Sequence, residues 1–262
     1  MQSHKNIYNQ LKRDLGESDA CCEYIEVLFR AHEKEGLTEE ELIVMSNEAG
    51  IKVDSFDFQK ASRIVRESYI LTVHQRFEVF LYELKSIIAE FCVGFRAKED
   101  KEPILDCIYR NIFDLRKKNN EIYVYYLICN YYRLIRNQNA HLGKQNDAEN
   151  TYREIVERKE SILQFTGKLG LPNSFDKLGF NDFVIFSRAV KKLAQEMIKN
   201  LNYDEKKIAE KFDIKVCKKY SKESQRCRDS VRHALEVQFD LNGEKLEDTV
   251  QMILDRVSAE KD

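Results

Sequence analysis

Apolar residues recur three and four positions apart along most of this 262-residue chain. This spacing places side chains on one face of an α-helix. Only two prolines and nine glycines interrupt the chain, and one stretch without either extends from about Ser55 to Gly94. The pattern predicts an all-α protein in which this stretch is a long core helix of a bundle. Its stripe consists of Ile70, His74, Phe77, Leu81, Leu84, Ile88 and Phe91.

Helix start and stop signals divide the rest of the chain into shorter helices. A helical region over 5–35 is expected to be interrupted near Gly16 and to end at Gly36. Thr38 and Glu41 have the spacing of a capping box, which starts a short helix that stops at Gly50. Further helices are expected over 103–118 and 147–168 and from starts near Asn181, Asp204, Ser221 and Gly243.

Segment 170–174, Gly-Leu-Pro-Asn-Ser, has the composition of a linker. The sequence therefore predicts three consecutive parts. These are a helical lead-in over 1–52, a helical bundle over 53–169 and a C-terminal helical region over 173–262.

The helix predicted over 122–135 is apolar nearly all the way round. Such a helix must be covered on most sides, either by its own bundle or by a partner chain. Its tyrosines are interpreted as core or dimer packing, with base stacking as the alternative. They are Tyr123, Tyr125, Tyr126, Tyr131 and Tyr132.

Directly after this helix comes the sequence Arg136-Asn137-Gln138-Asn139-Ala140-His141. A histidine transfers a proton near neutral pH, and an arginine holds a phosphate at any pH. On a straight helix Arg136 and His141 would lie about 140° apart. They can act on one phosphate if the helix breaks near Asn137 and Asn139, or if two copies of the chain meet.

The chemistry that this pair supports is RNA cleavage without a metal ion or another cofactor. The ribose 2′-hydroxyl attacks the adjacent phosphate and leaves a 2′,3′-cyclic phosphate. His141 would transfer the proton. Arg136, helped by Arg133, would neutralise charge on the phosphorane. Asn137 would orient the phosphate or the imidazole.

An arginine, a polar residue, three more residues and a histidine, at the end of an apolar helix that follows a long helix, resemble the motif of the HEPN superfamily. The resemblance covers residues 55–168. It implies an all-α bundle that dimerises through the motif helix, here 122–141, and a metal-independent endoribonuclease of a bacterial toxin or antiviral defence system. It also implies the catalytic pair Arg136 and His141, with Asn137 at the polar position. His74 is interpreted as a core or interface histidine, with a supporting role beside the motif as the alternative.

The net charge of −2 gives no global attraction to nucleic acid. Segment 206–233, however, has ten Lys and Arg residues against four acidic ones. We predict that this segment holds RNA, with a solvated helix face as the alternative. The residues expected to bind RNA are Arg133, Lys218, Lys219, Arg226 and Arg228.

Seven cysteines, an odd number, follow a polar N-terminus. They indicate free thiols in a reducing compartment, so a cytoplasmic protein is expected. No apolar run approaches the ~20 residues that span a bilayer, so no membrane association is expected. Cys217, Cys227 and His233 are too loosely spaced for a structural zinc site.

Two other functions stay open at this point. The first is a catalytically silent helical module that binds RNA or a partner protein, since some relatives of the superfamily have lost activity. The second is a helix-turn-helix regulator that uses segment 206–233 on DNA. An antitoxin or sensor protein is a possible partner of the ribonuclease that the resemblance implies.

Overall fold

The computed structural model describes residues 4–53, 57–113, 120–140, 145–213, 215 and 225–259, and it leaves the side chains of residues 139, 140, 145 and 146 undescribed. The fold is all-α, as predicted, and the described residues contain no strand. None of the described helices is long and apolar enough to cross a membrane. The helices are α1 His4–Glu35, α2 Glu39–Glu48, α3 Phe58–Phe91, α4 Ile104–Ile112, α5 Glu121–Ala140, α6 Gln145–Glu157, α7 Lys159–Thr166, α8 Phe180–Lys199, α9 Glu205–Lys211, α10 Gln225–Phe239 and α11 Gly243–Ala259.

The chain divides into two compact units that are not consecutive in sequence. Unit 1 comprises residues 1–10, 78–116 and 194–262, and unit 2 comprises residues 11–77 and 117–193. The boundaries fall within α1, α3 and α8. Each unit therefore draws on the lead-in, the bundle and the C-terminal region into which the sequence alone divides the chain.

The core stripe predicted on α3 is confirmed. All seven of its residues are buried, and the polar member His74 is 6% exposed. The capping box of α2 is also confirmed, because the Thr38 hydroxyl accepts from the Glu41 amide and the Glu41 carboxylate accepts from the Thr38 amide. Local sequence signals thus set both the buried face of α3 and the start of α2.

The predicted interruption of α1 near Gly16 is wrong, because α1 continues through that residue. A helical glycine costs about 1 kcal/mol relative to alanine. The same helix buries Ile7, Leu11, Leu15 and Cys22, which recur at helical spacing. Burying several apolar side chains outweighs one glycine.

The single helix predicted over 147–168 is two helices, α6 and α7. The chain leaves the helical conformation at Arg158, where φ is −97° and ψ is 21°. Its guanidinium carbon lies 5.0 Å from the centre of the Tyr123 ring, and its Nε donates to Glu154. The break thus coincides with a residue that is packed against α5.

Helix α5 is anchored within unit 2 by its tyrosines. The Tyr131 hydroxyl donates to the carbonyl of Asn173 at 2.6 Å, and the Tyr132 hydroxyl donates to Asp182 at 2.8 Å. Tyr131 also packs on Tyr152 of α6. Segment 170–174, predicted as a linker, is therefore tied to α5. The buried residues of this helix are Tyr123, Val124, Tyr125, Leu127, Ile128, Cys129, Tyr131, Tyr132 and Ile135.

Candidate functional site

The Arg/His motif lies at the C-terminal end of α5, in unit 2. The helix continues through Asn137 and Asn139 to Ala140. Of the two conditions under which Arg136 and His141 can act on one phosphate, a helix break at these asparagines is therefore not met. Nine buried residues of α5 fix the helix upstream, and helical hydrogen bonds extend from that packed part, although asparagine is a weak helix former. His141 lies outside the described residues.

Arg136 keeps most of its hydrogen-bonding capacity. It is half-buried, and its Nη1 donates to the Asn137 side-chain oxygen at 3.1 Å. Its Nε is buried and has no hydrogen-bond partner among the described residues, and none of their carboxylates forms an ion pair with it. A guanidinium is always charged and has five N–H donors. The Arg136 side chain can therefore bind an anion such as a phosphate.

Asn137 holds the guanidinium of Arg136 through that hydrogen bond. The amide nitrogen of the same side chain remains as a donor. The sequence predicts that Asn137 orients a phosphate or an imidazole, and the structure adds a contact with the neighbouring arginine. Arginine and asparagine thus form one connected polar group at the end of α5.

Arg133, one turn earlier on α5, is directed toward Asn130. Its Nε and Nη2 donate to the Asn130 side-chain oxygen at 3.0 and 2.7 Å. Residues 133 and 136 are three positions apart, so they are neighbours on the helix surface. Two guanidinium groups therefore stand on adjacent positions of the same helical face.

His74 of α3 is electrostatically coupled to both arginines. Burial, and then the charges of Arg136 and Arg133, lower its pKa from 6.5 to about 4. The His74 imidazole is therefore neutral near pH 7. Its stripe position predicts burial, which is confirmed. The alternative drawn from the sequence, a supporting role beside the motif, stays a prediction.

The basic segment belongs to unit 1, and several of its charges have partners there. Arg232 forms an ion pair with Glu247 of α11 at 2.7 Å, and Lys211 forms one with Glu90 of α3 at 3.3 Å. Arg228 donates to the Gln251 side chain at 2.7 Å and lies 3.7 Å from Glu247. The net positive charge at the surface of the folded unit is therefore smaller than the excess counted along the sequence of the segment.

The predicted RNA-binding residues of this segment are only partly described. Arg226 is exposed, and Arg228 is half-buried beside α11. Lys218 and Lys219 lie outside the described residues. Arg133 belongs to unit 2, and Arg226 and Arg228 belong to unit 1. Each of these arginines is described within its own unit.

Within the described part of the chain, no group of three or more His, Cys, Asp and Glu side chains is placed to hold a metal ion. The described cysteines are free thiols, and all but Cys21 are buried. Burial raises the pKa of Cys22 and Cys92 to about 12. These two thiols are thus protonated and unreactive at neutral pH.

Comparison of the chain with models of protein families, with curated proteins and with solved structures finds no match.

Proposed function

We propose that this protein is a metal-independent endoribonuclease of the HEPN type, and that it acts as a bacterial toxin or antiviral effector. The ribose 2′-hydroxyl attacks the neighbouring phosphate, His141 transfers the proton, and Arg136 stabilises the charge of the phosphorane. Asn137 orients the Arg136 guanidinium. The products carry a 2′,3′-cyclic phosphate and a 5′-hydroxyl.

The observation that carries the proposal is the state of Arg136. Its guanidinium is half-buried and held by Asn137, and none of the described carboxylates neutralises it. A partly buried arginine without an acidic partner keeps its full charge in a medium where electrostatic interactions are stronger than in water. Such a group suits a phosphate that gains negative charge during the reaction.

His74 supports the same site in a different way. Because its pKa lies near 4, it adds no positive charge at neutral pH. It therefore leaves the two arginines as the local cations and His141 as the residue assigned to proton transfer. This proposal therefore assigns no proton-transfer step to His74.

The proposal includes a homodimer with a shared site. Helix α5 is unbroken from Glu121 to Ala140, and most of its apolar residues are buried within one chain, while Ile122, Tyr126 and Leu134 are half-buried. The case for a dimer comes from geometry. If the helix continued past Ala140, Arg136 and His141 would lie about 140° apart around it and could not act on one phosphate within one chain. A second copy related by symmetry supplies the missing side chain to each phosphate.

The experiment that tests the chemistry is cleavage of an end-labelled single-stranded RNA in excess EDTA. We expect 2′,3′-cyclic phosphate ends, and no cleavage of the same sequence with 2′-O-methyl ribose, because that substrate lacks the attacking hydroxyl. Cleavage of the 2′-O-methyl RNA, or cleavage abolished by EDTA, would contradict the proposal.

The shared site has its own test. Arg136→Ala and His141→Ala chains are each expected to be inactive. When the two variants are mixed and allowed to exchange, some dimers regain one site with both wild-type side chains. Recovery of activity on mixing supports the shared site. Two active dimeric variants, or no recovery despite proven exchange, would contradict it.

A further inference from the structure

A cavity of about 390 Å³ lies in unit 2 between α5, α6 and residues 174–176. Its volume falls within the roughly 300–1,000 Å³ of small-molecule sites. Tyr131 and Gln138, seven residues apart on one face of the helix, line it from α5. Because Tyr131 and Arg136 are five residues apart, they lie about 140° apart around the helix. The cavity is thus distinct from the face of α5 that carries Arg136.

Aromatic rings form the walls of this cavity. Tyr131 and Tyr152 have ring centres 5.7 Å apart and planes inclined by 32°, and Phe175 adds a third ring. Tyr131 is buried and its hydroxyl is held by Asn173, so this wall is fixed. Tyr152 and Phe175 are half-buried. The exposed parts of the Tyr152 and Phe175 rings favour a flat, conjugated ligand that can stack, while the buried Tyr131 packs against Tyr152.

The charged groups at the rim are Glu149 and Arg153 of α6 and Asp176, all exposed, and Gln138 and Ser174 add neutral polar groups. The Asp176 carboxylate accepts a hydrogen bond from the Ser174 side chain. Glu149 and Arg153 are one helical turn apart, a spacing at which opposite charges commonly pair. Here the two side chains form no ion pair with each other, and neither side chain has a hydrogen-bond partner among the described residues. The guanidinium of Arg153 and the carboxylate of Glu149 are therefore available to bind a ligand.

We propose that this cavity binds a guanine base and, on the basis of the proposed ribonuclease function, selects guanine-containing RNA. Guanine has two adjacent donors, N1–H and the 2-amino group, which a carboxylate accepts together. Its O6 and N7 atoms accept the two donors of an arginine fork. Adenine instead presents a lone pair at N1, which a carboxylate would repel. The combination of Glu149, Asp176 and Arg153 thus suits guanine better than adenine.

The proposal is tested by the binding of nucleoside 5′-monophosphates to the full-length protein, measured by saturation-transfer NMR. The three ligands GMP, IMP and AMP share the same phosphate, so their differences report the base. We expect GMP to bind roughly tenfold more tightly than IMP, which lacks the 2-amino donor, and more tightly still than AMP. Equal affinities for GMP and AMP would overturn the proposal.

Two matched variants on the exposed surface of α6 locate the site. Glu149→Gln removes a rim carboxylate and is expected to lower GMP affinity roughly tenfold. Glu157→Gln removes a carboxylate of the same helix that does not line the cavity, and it is expected to leave GMP affinity unchanged. Equal effects of the two substitutions would overturn the assignment.

Binding and cleavage separate this proposal from the proposed function. Selective GMP binding by a protein that does not cut RNA would support the guanine site and contradict the ribonuclease. RNA cleavage by a protein that binds GMP and AMP equally would support the ribonuclease and contradict the guanine site.

Discussion

The hydroxyl of Tyr132 donates a 2.8 Å hydrogen bond to the carboxylate of Asp182, which is fully buried. The same carboxylate accepts from the Asn173 amide at 2.8 Å, from the Asn173 side chain at 2.7 Å and from the Gly179 amide at 2.8 Å. A buried carboxylate is tolerated when its oxygens are satisfied in this way. Asp182 therefore links α5, which carries the candidate site, to the segment before α8.

Replacing Tyr132 with Phe should destabilise the protein, because it removes a donor from a buried carboxylate. We expect the free energy of unfolding to fall by about 1–3 kcal/mol. Tyr24→Phe is the control, since Tyr24 is 65% exposed, and it should change stability by less than about 0.5 kcal/mol. Urea denaturation at pH 7 measures both. A Tyr132→Phe protein as stable as the control would show that the hydrogen bond contributes little.

The stability of the protein should fall as the pH is lowered from about 6.5 toward 4. His74 has an ordinary pKa of 6.5 when unfolded and about 4 when folded, so folding favours its neutral form. Its contribution is complete above pH 6.5 and is lost as the pH falls toward 4. The difference corresponds to roughly 3 kcal/mol. Burial lowers the pKa of His4 as well, which adds to the same trend.

His74→Leu separates the two histidines. The variant should lose part of the pH dependence of unfolding between pH 7 and 5 and retain the part due to His4. Urea titrations of both proteins at several pH values provide the two slopes. The same slope in both proteins would mean that His74 titrates normally in the folded state.

Removing Arg136 should raise the pKa of His74, because its guanidinium is the second cause of the depression after burial. The pKa should remain below 6.5 in Arg136→Ala, since burial persists. NMR titration of the histidine ring protons measures the change. Arg188→Ala, on the exposed surface of α8, is the matched control. An unchanged pKa of His74 in Arg136→Ala would show that the charge of Arg136 does not act on His74.

The basic segment of unit 1 should contribute to RNA affinity through its positive charges. Reversing Lys218, Lys219 and Arg226 to Glu should weaken RNA binding and reduce its salt dependence by a slope of about 0.7 per lost contact. Arg228 is left intact because it contacts Gln251 and Glu247. Fluorescence anisotropy at several salt concentrations tests this. Unchanged affinity and slope would identify the segment as a solvated face.

The sequence predicted the helices well because most of their signals are local. Apolar spacing located α3 and its buried stripe, and Thr38 and Glu41 located the start of α2. Asp204 likewise caps α9, as its predicted start requires. Such signals act within one or two helical turns. Tertiary packing overrode them at Gly16, which lies inside α1.

The candidate site was only partly predictable. The spacing of the motif singles out Arg136 and Asn137 as candidates, and their role stays a prediction. The electrostatic effect of Arg136 on His74 joins two helices that are distant in sequence. The ion pair of Arg232 with Glu247 likewise joins two different helices. The two interleaved units also depend on contacts between distant segments. Composition and periodicity along the chain do not encode such contacts.

The most direct measurement of the central claim is the single-turnover rate of RNA cleavage in EDTA by Arg136→Ala, compared with wild type and Arg188→Ala. Arg136 is assigned to the phosphorane, so its loss should lower the rate by roughly 10²-fold or more while the protein stays folded. Arg188 is exposed on α8 and has no assigned role, so its loss should leave the rate unchanged. A folded Arg136→Ala protein that cuts as fast as the Arg188→Ala control, or a wild-type protein that cuts no RNA, would contradict the claim.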